Sequence, residues 1–231
     1  VDNPANIKRT EKIADARAGL SEFTHGIVNQ ARLHELLTDG MANSISNLQP
    51  HYSRKFIEMK IDEALTQDLD KFPITANFQR TDQEGSGKLE TIKARFLVGC
   101  DGGHSQVRKN MGIKLEGDSA NKAWGVMDLL LNTDFPDIRV KSFIQSKEHG
   151  AVMTIPREGG YLCRFYVEMD TIEKETRSKE IRVTEKDLIK KAQKIFHPYE
   201  LDVKEVAWWS IYSVGQRLAD RFDDRSEDSA D

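Results

Sequence analysis

Phe96-Leu97-Val98-Gly99-Cys100-Asp101-Gly102-Gly103-His104-Ser105-Gln106-Val107-Arg108 sets the architecture to expect for the whole chain. The apolar run from Ala94 to Cys100 has strand length and no polar alternation. Such runs suit strands buried on both faces, as in a parallel sheet. The run ends on an acid, two glycines follow, and a helix opens with Ser105 at or near its N-cap. Gly112 is placed to close that helix. Ligands of α/β sheets gather at the carboxyl ends of strands, where Asp101 would stand. Gly102 and Gly103 would let a ligand approach the backbone closely, and amides at the helix start could face a phosphate. Spacing alone equally allows a tight turn in which Asp101 only caps the helix. No Gly-x-Gly-x-x-Gly occurs in the chain, so the usual dinucleotide fingerprint is absent.

Upstream of this corner, Ile74, Ala76 and Phe78 alternate with Thr75, Asn77 and Gln79, the pattern of a half-buried strand. Gln83 to Gly87 is turn chemistry, and Lys88 to Lys93 can return as the partner strand. A further strand is expected over Lys55 to Ile61, followed by an acidic loop. Leu33, Leu36, Leu37 and Met41 recur at helical spacing from Asn29 onward. Residues 1–24 are polar and irregular.

Downstream, short strands are expected at Trp124–Leu131, Val140–Ile144, Ala151–Ile155 and Tyr161–Glu168, punctuated by Gly150 and the Pro156 to Gly160 segment. Thr184-Glu185-Lys186-Asp187 resembles a capping box and opens a helix through Phe196, which Pro198 stops. Leu201 to Trp209 reads as another strand. In the Tyr161–Glu168 strand, Tyr161, Cys163, Phe165 and Val167 share one face, suited to a core. Leu162, Arg164, Tyr166 and Glu168 share the other. Arg164 and Tyr166 would then lie about 7 Å apart. A hairpin through Gly159 and Gly160 would bring Arg157 near the same face.

Composition narrows the function classes. A net charge of −4 gives no broad pull toward nucleic acid or anionic lipid. No apolar run approaches the roughly 20 residues needed to cross a bilayer, so no membrane role is expected. Val1-Asp2-Asn3-Pro4 is not a signal peptide and lacks an initiator Met, which suggests a chain starting partway through a longer protein. Cys100 and Cys163 each sit in an apolar run and read first as two buried free thiols in a reducing, cytoplasmic setting, with a disulfide or a catalytic thiol as the alternatives. No Cys/His spacing suggests a metal site.

The corner at Asp101 resembles the second flavin motif, the Asp-Gly motif, of FAD-dependent aromatic hydroxylases (class A flavoprotein monooxygenases), nearest the phenol 2-monooxygenase subgroup. Other segments resemble the same family in order. They are Leu20 to Phe23 with Asn29 to His34, Trp124 to Asp128, Asp134 to Arg139, Ile155 to Glu158, Arg164 to Val167, and Gly215 to Phe222. The resemblance implies FAD as cofactor, NADPH as reductant, a phenolic small molecule as substrate, and a parent protein that is often homodimeric. It places Gln30 on a helix bordering the flavin; the bland alternative is an exposed polar residue at a helix start. It places Asp101 and Gly102 near the cofactor's pyrophosphate, with a largely structural role for the Asp101 side chain. It puts Tyr166 near the substrate hydroxyl and Arg157 in the same site. Arg164 is the weaker candidate, since it could equally pair with a surface carboxylate. The family's base for the phenol proton is a carboxylate near the N-terminus, in a region outside this chain.

The expected fold class is α/β (α+β). It joins a partial FAD-binding domain of the p-hydroxybenzoate-hydroxylase type over 1–112 to a mixed, mostly antiparallel substrate-domain sheet with a flanking helix over 113–222. A disordered acidic tail is expected at 223–231. The family's N-terminal glycine fingerprint and third flavin motif have no counterpart here, so the chain alone is expected to bind FAD weakly or not at all. Loss of the neighbouring strand should expose apolar surface around Phe96 to Val98. The competing expectation is a non-catalytic remnant or interaction module that keeps the substrate-domain fold.

Overall fold

The computed structural model describes residues 7–14, 16–23, 25–169 and 183–224. The chain forms two compact units, each interleaved in sequence. The first joins Val1–Leu37 to Ser119–Gln216, and the second joins Thr38–Asp118 to Arg217–Asp231. Helix α1 (Gln30–Ala42) runs through the change of unit and buries none of its residues, so the Leu33, Leu36 and Leu37 stripe stays exposed.

In the second unit, β1 (Arg54–Ile61), β2 (Ile74–Arg80) and β3 (Leu89–Ala94) form an antiparallel sheet in that order. Phe56 sits opposite Phe78 in the register, and their rings meet edge to face at 5.7 Å. Glu90 on β3 holds Arg54 at 2.7 Å and Arg80 at 3.0 Å, tying all three strands together. The β2–β3 connection is the turn expected from Gly85 and Gly87, with Gly87 at φ 83°. The short helix α2 (Gln106–Asn110) follows, and Asn110 Oδ1 accepts from the Met59 amide at 3.1 Å. Then β4 (Leu115–Glu116) pairs with the late strand β10 (Leu218–Ala219).

The first unit is a five-stranded antiparallel sheet. Its strands are β5 (Ser119–Thr133), β6 (Ser142–Ser146), β7 (Gly150–Pro156), β8 (Leu162–Glu168) and β9 (Leu201–Gly215), in the order β6-β7-β8-β5-β9. Helix α3 (Glu185–Phe196) lies across one face. In β8, Cys163, Phe165 and Val167 are fully buried against α3 as expected, and Arg164 and Tyr166 point the other way, half-buried, whereas Tyr161, expected on the core face, precedes the strand and stands 59% exposed. Leu188, Ala192, Ile195 and Phe196 supply the helix side of the core. Phe196 stacks on Phe165 at 5.3 Å, and Phe135 meets Phe196 edge-on at 5.2 Å.

The capping box forms as its sequence indicates. Thr184 Oγ1 accepts from the Asp187 amide at 3.3 Å, and Asp187 Oδ2 accepts from the Thr184 amide at 2.9 Å. Thr184→Ala should therefore lower stability by about 1 kcal/mol, read as a lower urea midpoint with an unchanged slope.

Two expectations need correction. The run from Ala94 to Cys100 is not a buried parallel strand. Beyond Ala94 it pairs with no strand among the described residues, and Phe96 and Val98 stand 80% and 82% exposed. Apolar residues alone do not make a strand when no neighbour offers a ladder of donors and acceptors. Cys100 is exposed for the same reason, and only Cys163 is the buried thiol that was expected. Burial pushes the Cys163 thiol up to about 11, which keeps it protonated and unreactive at neutral pH. Every strand pairing among the described residues is antiparallel. Of the expected tail, residues 225–231 lie outside the described residues. No helix of the described residues is long and apolar enough to cross a membrane.

Candidate functional site

The corner at Asp101 is built by its own side chains. Ser105 is the N-cap of α2, and its Oγ accepts from the Arg108 amide at 3.0 Å. The Ser105 hydroxyl in turn donates to Asp101 Oδ1. Asp101 Oδ2 accepts from the amides of Gln106 at 2.6 Å and Val107 at 3.3 Å. The helix-start amides expected to face a phosphate are thus already satisfied within the chain. The Asp101 carboxylate is spent on shaping the corner, and Gly112 closes the helix at φ 70°.

Burial raises the Asp101 pKa, but the Ser105 hydroxyl and the Gln106 and Val107 amides outweigh it and hold the carboxyl below its usual range. A depressed folded-state value stabilises the protein above the unfolded value of about 3.9 and loses that contribution as pH falls through the folded value. The melting-temperature difference between wild type and Asp101→Asn should therefore be constant from pH 5 to 7 and shrink below about pH 4.

What the corner leaves open is backbone. Gly102 has φ 81°, a region that favours glycine, and a Cβ placed on it or on Gly103 would meet no atom within 4 Å. That open, side-chain-free cradle fits the close approach of an oxygen-rich group such as a dinucleotide pyrophosphate.

The first unit carries the more chemical surface on the sheet face away from α3. In register across β8, β5 and β9, Arg164 lies opposite Asp128, and Asp128 opposite Trp208. Arg164 Nε donates to Asp128 Oδ1 at 2.7 Å and Nη2 to Oδ2 at 2.8 Å. The guanidinium sits 5.4 Å over the Trp208 ring. Asp128 and, after it, burial and the Tyr166 hydroxyl act on Arg164; the hydrogen bonds prevail and raise its pKa further. Tyr166 is flanked in register by Val126 and Met153.

Arg157 follows β7, and its amide donates to the Leu162 carbonyl at 3.0 Å, which puts it on the same sheet face as Arg164. It stands four residues along β8 from the Tyr166 level, or about 13 Å of strand rise. Arg157 Nη2 donates to Glu158 Oε1 at 3.2 Å, and Asn29 Nδ2 donates to the same oxygen at 2.9 Å. Asn29 also starts α1, its Oδ1 accepting from the Ala31 amide at 2.8 Å. Gln30, exposed at the first position of α1, is thereby anchored next to the Arg157 turn. Arg157 Nε and Glu158 Oε2 are buried with no partner, an unused donor and acceptor that a polar ligand can take up.

Of the residues singled out from sequence, then, Gln30, Arg157 and Tyr166 belong to the first unit, and Asp101 and Gly102 to the second. Asp128, Trp208, Asn29 and Glu158 had been given no role. Asp128 had a signal, being the lone carboxylate between Trp124 and Leu131 in an otherwise apolar strand. The Asn29–Glu158 contact has none. Among the described residues, no His, Cys, Asp and Glu side chains gather into a group that could hold a metal ion.

An open glycine corner after one sheet is joined in one chain to a helix-backed antiparallel sheet with a polar outer face. Residues 12–225 match the FAD binding domain family, and the chain belongs to it; FAD is the cofactor of that family. The chain is 49% identical over 221 residues to the 3-hydroxybenzoate 4-monooxygenase of Comamonas testosteroni, covering 96% of this chain and 34% of that protein. It is 34% identical over 216 residues to the phenol 2-monooxygenase fsqG of Aspergillus fumigatus, covering 94% and 34%. The chain thus spans about a third of the length of these relatives. Among solved structures, the flavin-dependent monooxygenase PieE, in complex with FAD and substrate, superposes with a TM-score of 0.60 at 16% identity, over 85% of this chain and 32% of that one. The p-nitrophenol 4-monooxygenase PnpA of Pseudomonas putida DLL-E4 gives 0.57 at 17%, over 83% and 43%. At such identities these two likenesses speak for the fold.

Proposed function

We propose that this chain is the part of a FAD- and NADPH-dependent monooxygenase that presents a phenolic ring for hydroxylation by O2. Bound FAD would supply the redox chemistry, with NADPH as the two-electron reductant and O2 as the oxidant, one oxygen atom going to the ring and the other to water. The chain's own residues bind and orient. In the second unit, Gly102 meets the cofactor through its open backbone and Asp101 fixes the corner that presents it; in the first unit, Gln30 at the start of α1 is a separate candidate contact. Tyr166 hydrogen-bonds the substrate oxygen. Arg157, held by Glu158, lines the far end of the same sheet face and offers its unpaired Nε to a polar group of the substrate. The sheet beneath them keeps water from one side of the ring.

The observation that carries this reading is the outer sheet face itself, where Tyr166 and the Arg164–Asp128 pair stand among apolar and aromatic neighbours. A bidentate ion pair with a buried carboxylate and a half-buried guanidinium costs desolvation that a plain surface would not need. It makes sense where a polar group has to be aimed.

The test is a chimera in which this chain replaces the matching segment of the 49% identical relative. It should bind FAD, quench its fluorescence, and consume NADPH faster when phenol or 3-hydroxybenzoate is added, with a hydroxylated product by mass spectrometry. A chimera that binds FAD but shows no such stimulation with any phenolic compound supports the second reading instead, a non-catalytic remnant that keeps the fold.

A further inference from the structure

We propose that Arg157 and Glu158 form an open donor–acceptor pair, kept open by Asn29, that receives a neutral hydroxyl at the far end of the substrate. The proposal rests on the reading of this face as the phenol site and adds a substrate class to it: phenols that carry a second, uncharged hydroxyl in place of a carboxylate.

This pair differs from the other arginine–carboxylate pair of the face. Arg164 spends Nε and Nη2 on the two oxygens of Asp128, at 2.7 and 2.8 Å, and that fork is closed. Arg157 gives Nη2 alone, to Glu158 Oε1 at 3.2 Å. Its Nε and the second carboxylate oxygen, Oε2, are buried without a partner. The same two groups could close the same fork, and they do not.

Asn29 supplies the reason. Its Nδ2 donates to Glu158 Oε1 at 2.9 Å, the oxygen that Arg157 also holds. Its Oδ1 accepts from the Ala31 amide at 2.8 Å, which fixes the side chain at the start of α1. The carboxylate is pinned by one oxygen and cannot turn its other oxygen onto Nε. All three residues belong to the first unit. The pair lies just under the surface, since the Glu158 side chain keeps 37% of its accessibility. A substituent can therefore reach it with a small side-chain movement.

The chemistry of the ligand follows from what the two atoms can do. A guanidinium only donates, and an ionised carboxylate only accepts. One group that serves both has to accept and donate at once, and a neutral hydroxyl is the smallest that does. A substrate carboxylate brings no proton for Oε2 and sets a like charge beside it. An alkyl group leaves both buried atoms unpaired. Arg157 stands about 13 Å of strand rise from the Tyr166 level. The hydroxyl it meets is thus not the one that Tyr166 meets.

Three compounds share a phenol ring and differ at the far end: 2-(4-hydroxyphenyl)ethanol, 4-hydroxyphenylacetate and 4-ethylphenol. Their binding to the full chain is followed by the 15N-correlated Nε–H signal of Arg157, assigned by its loss in Arg157→Lys. The indole N–H signal of Trp208, assigned by its loss in Trp208→Phe, reports the ring. The alcohol should bind about tenfold more tightly than the acetate and move the Arg157 signal. The ethyl compound should move the Trp208 signal only. Glu158→Gln removes the like charge and should bring the ratio of alcohol to acetate close to one. Asn29→Ser keeps an oxygen for the Ala31 amide but cannot reach Glu158. The fork should then close, moving the Arg157 signal before any ligand is added and abolishing the preference.

An Arg157 signal that the alcohol does not move overturns the proposal, and so does an unchanged ratio in Glu158→Gln; a trapped water filling the pair would give both results. If the Trp208 signal still responds to all three compounds in that case, the phenol-site reading survives and the role of the pair is what fails. If no aromatic compound binds, while ethylene glycol moves the Arg157 signal in the wild type and not in Glu158→Gln, the hydroxyl site stands and the phenol-site reading fails.

Discussion

Replacing Phe196 with alanine should lower the unfolding free energy of the helix-backed sheet by about 3–5 kcal/mol. The ring is fully buried, stacks on Phe165 at 5.3 Å and receives the edge of Phe135 at 5.2 Å. Its neighbours cannot close the space left behind. Phe165 is fixed by the β8 ladder, and Ile195 is held by the helix that Phe196 terminates. The loss thus combines the transfer of a large apolar ring with a cavity that persists. Urea unfolding followed by circular dichroism would show it as a lower midpoint. Phe143→Ala, at a position 59% exposed on β6, should change stability by no more than about 0.5 kcal/mol and serves as the control. Equal effects at the two positions would mean that α3 does not cover the sheet as described.

The second large effect concerns the contact between Gly125 and Leu188. A methyl group on Gly125 would lie 2.3 Å from Leu188 Cδ2 and 2.7 Å from Cδ1, closer than atoms can come. Leu188 is itself fully buried, so it has nowhere to swing. Gly125→Ala should cost about 1–3 kcal/mol by overpacking, and Leu188→Ala about 2–5 kcal/mol by leaving a cavity. In the double variant the new methyl enters the space that Leu188 vacates. The double change should therefore cost less than the two single costs together, by about 1–2 kcal/mol. Strict additivity would show that strand and helix are not in contact at this point.

Much of this molecule can be read in its sequence, because much of it depends on local rules. The β8 alternation separates Cys163, Phe165 and Val167 from Arg164 and Tyr166 by strand geometry alone. The capping box at Thr184 and Asp187 names the start of α3, and Ser105 names the start of α2. The reading fails where a residue's state depends on a distant partner. The run from Ala94 to Cys100 has a strand's composition but forms none beyond Ala94, and the exposure of Phe96 and Val98 is the one expected where the neighbouring strand is lacking; Cys100, expected buried, is exposed with them. The α1 leucines have helical spacing, yet spacing cannot say whether anything packs against the stripe. The site was legible in part for the same reason. Tyr166 and Arg157 sit in recognisable segments, and Asp101 sits at a strand-to-helix corner. The partners that give them their chemistry, Asp128 with Trp208 and Glu158 with Asn29, are set by register and tertiary contact.

The bond from Asn29 to Glu158 joins positions 129 residues apart. It gives the β7–β8 turn a fixed length as seen from the start of α1. One residue inserted between Pro156 and Leu162 would carry the Glu158 carboxylate out of reach and release Asn29. In the history of such chains, therefore, these two positions should drift together, and the turn between them should tolerate exchanges of residue far better than changes of length.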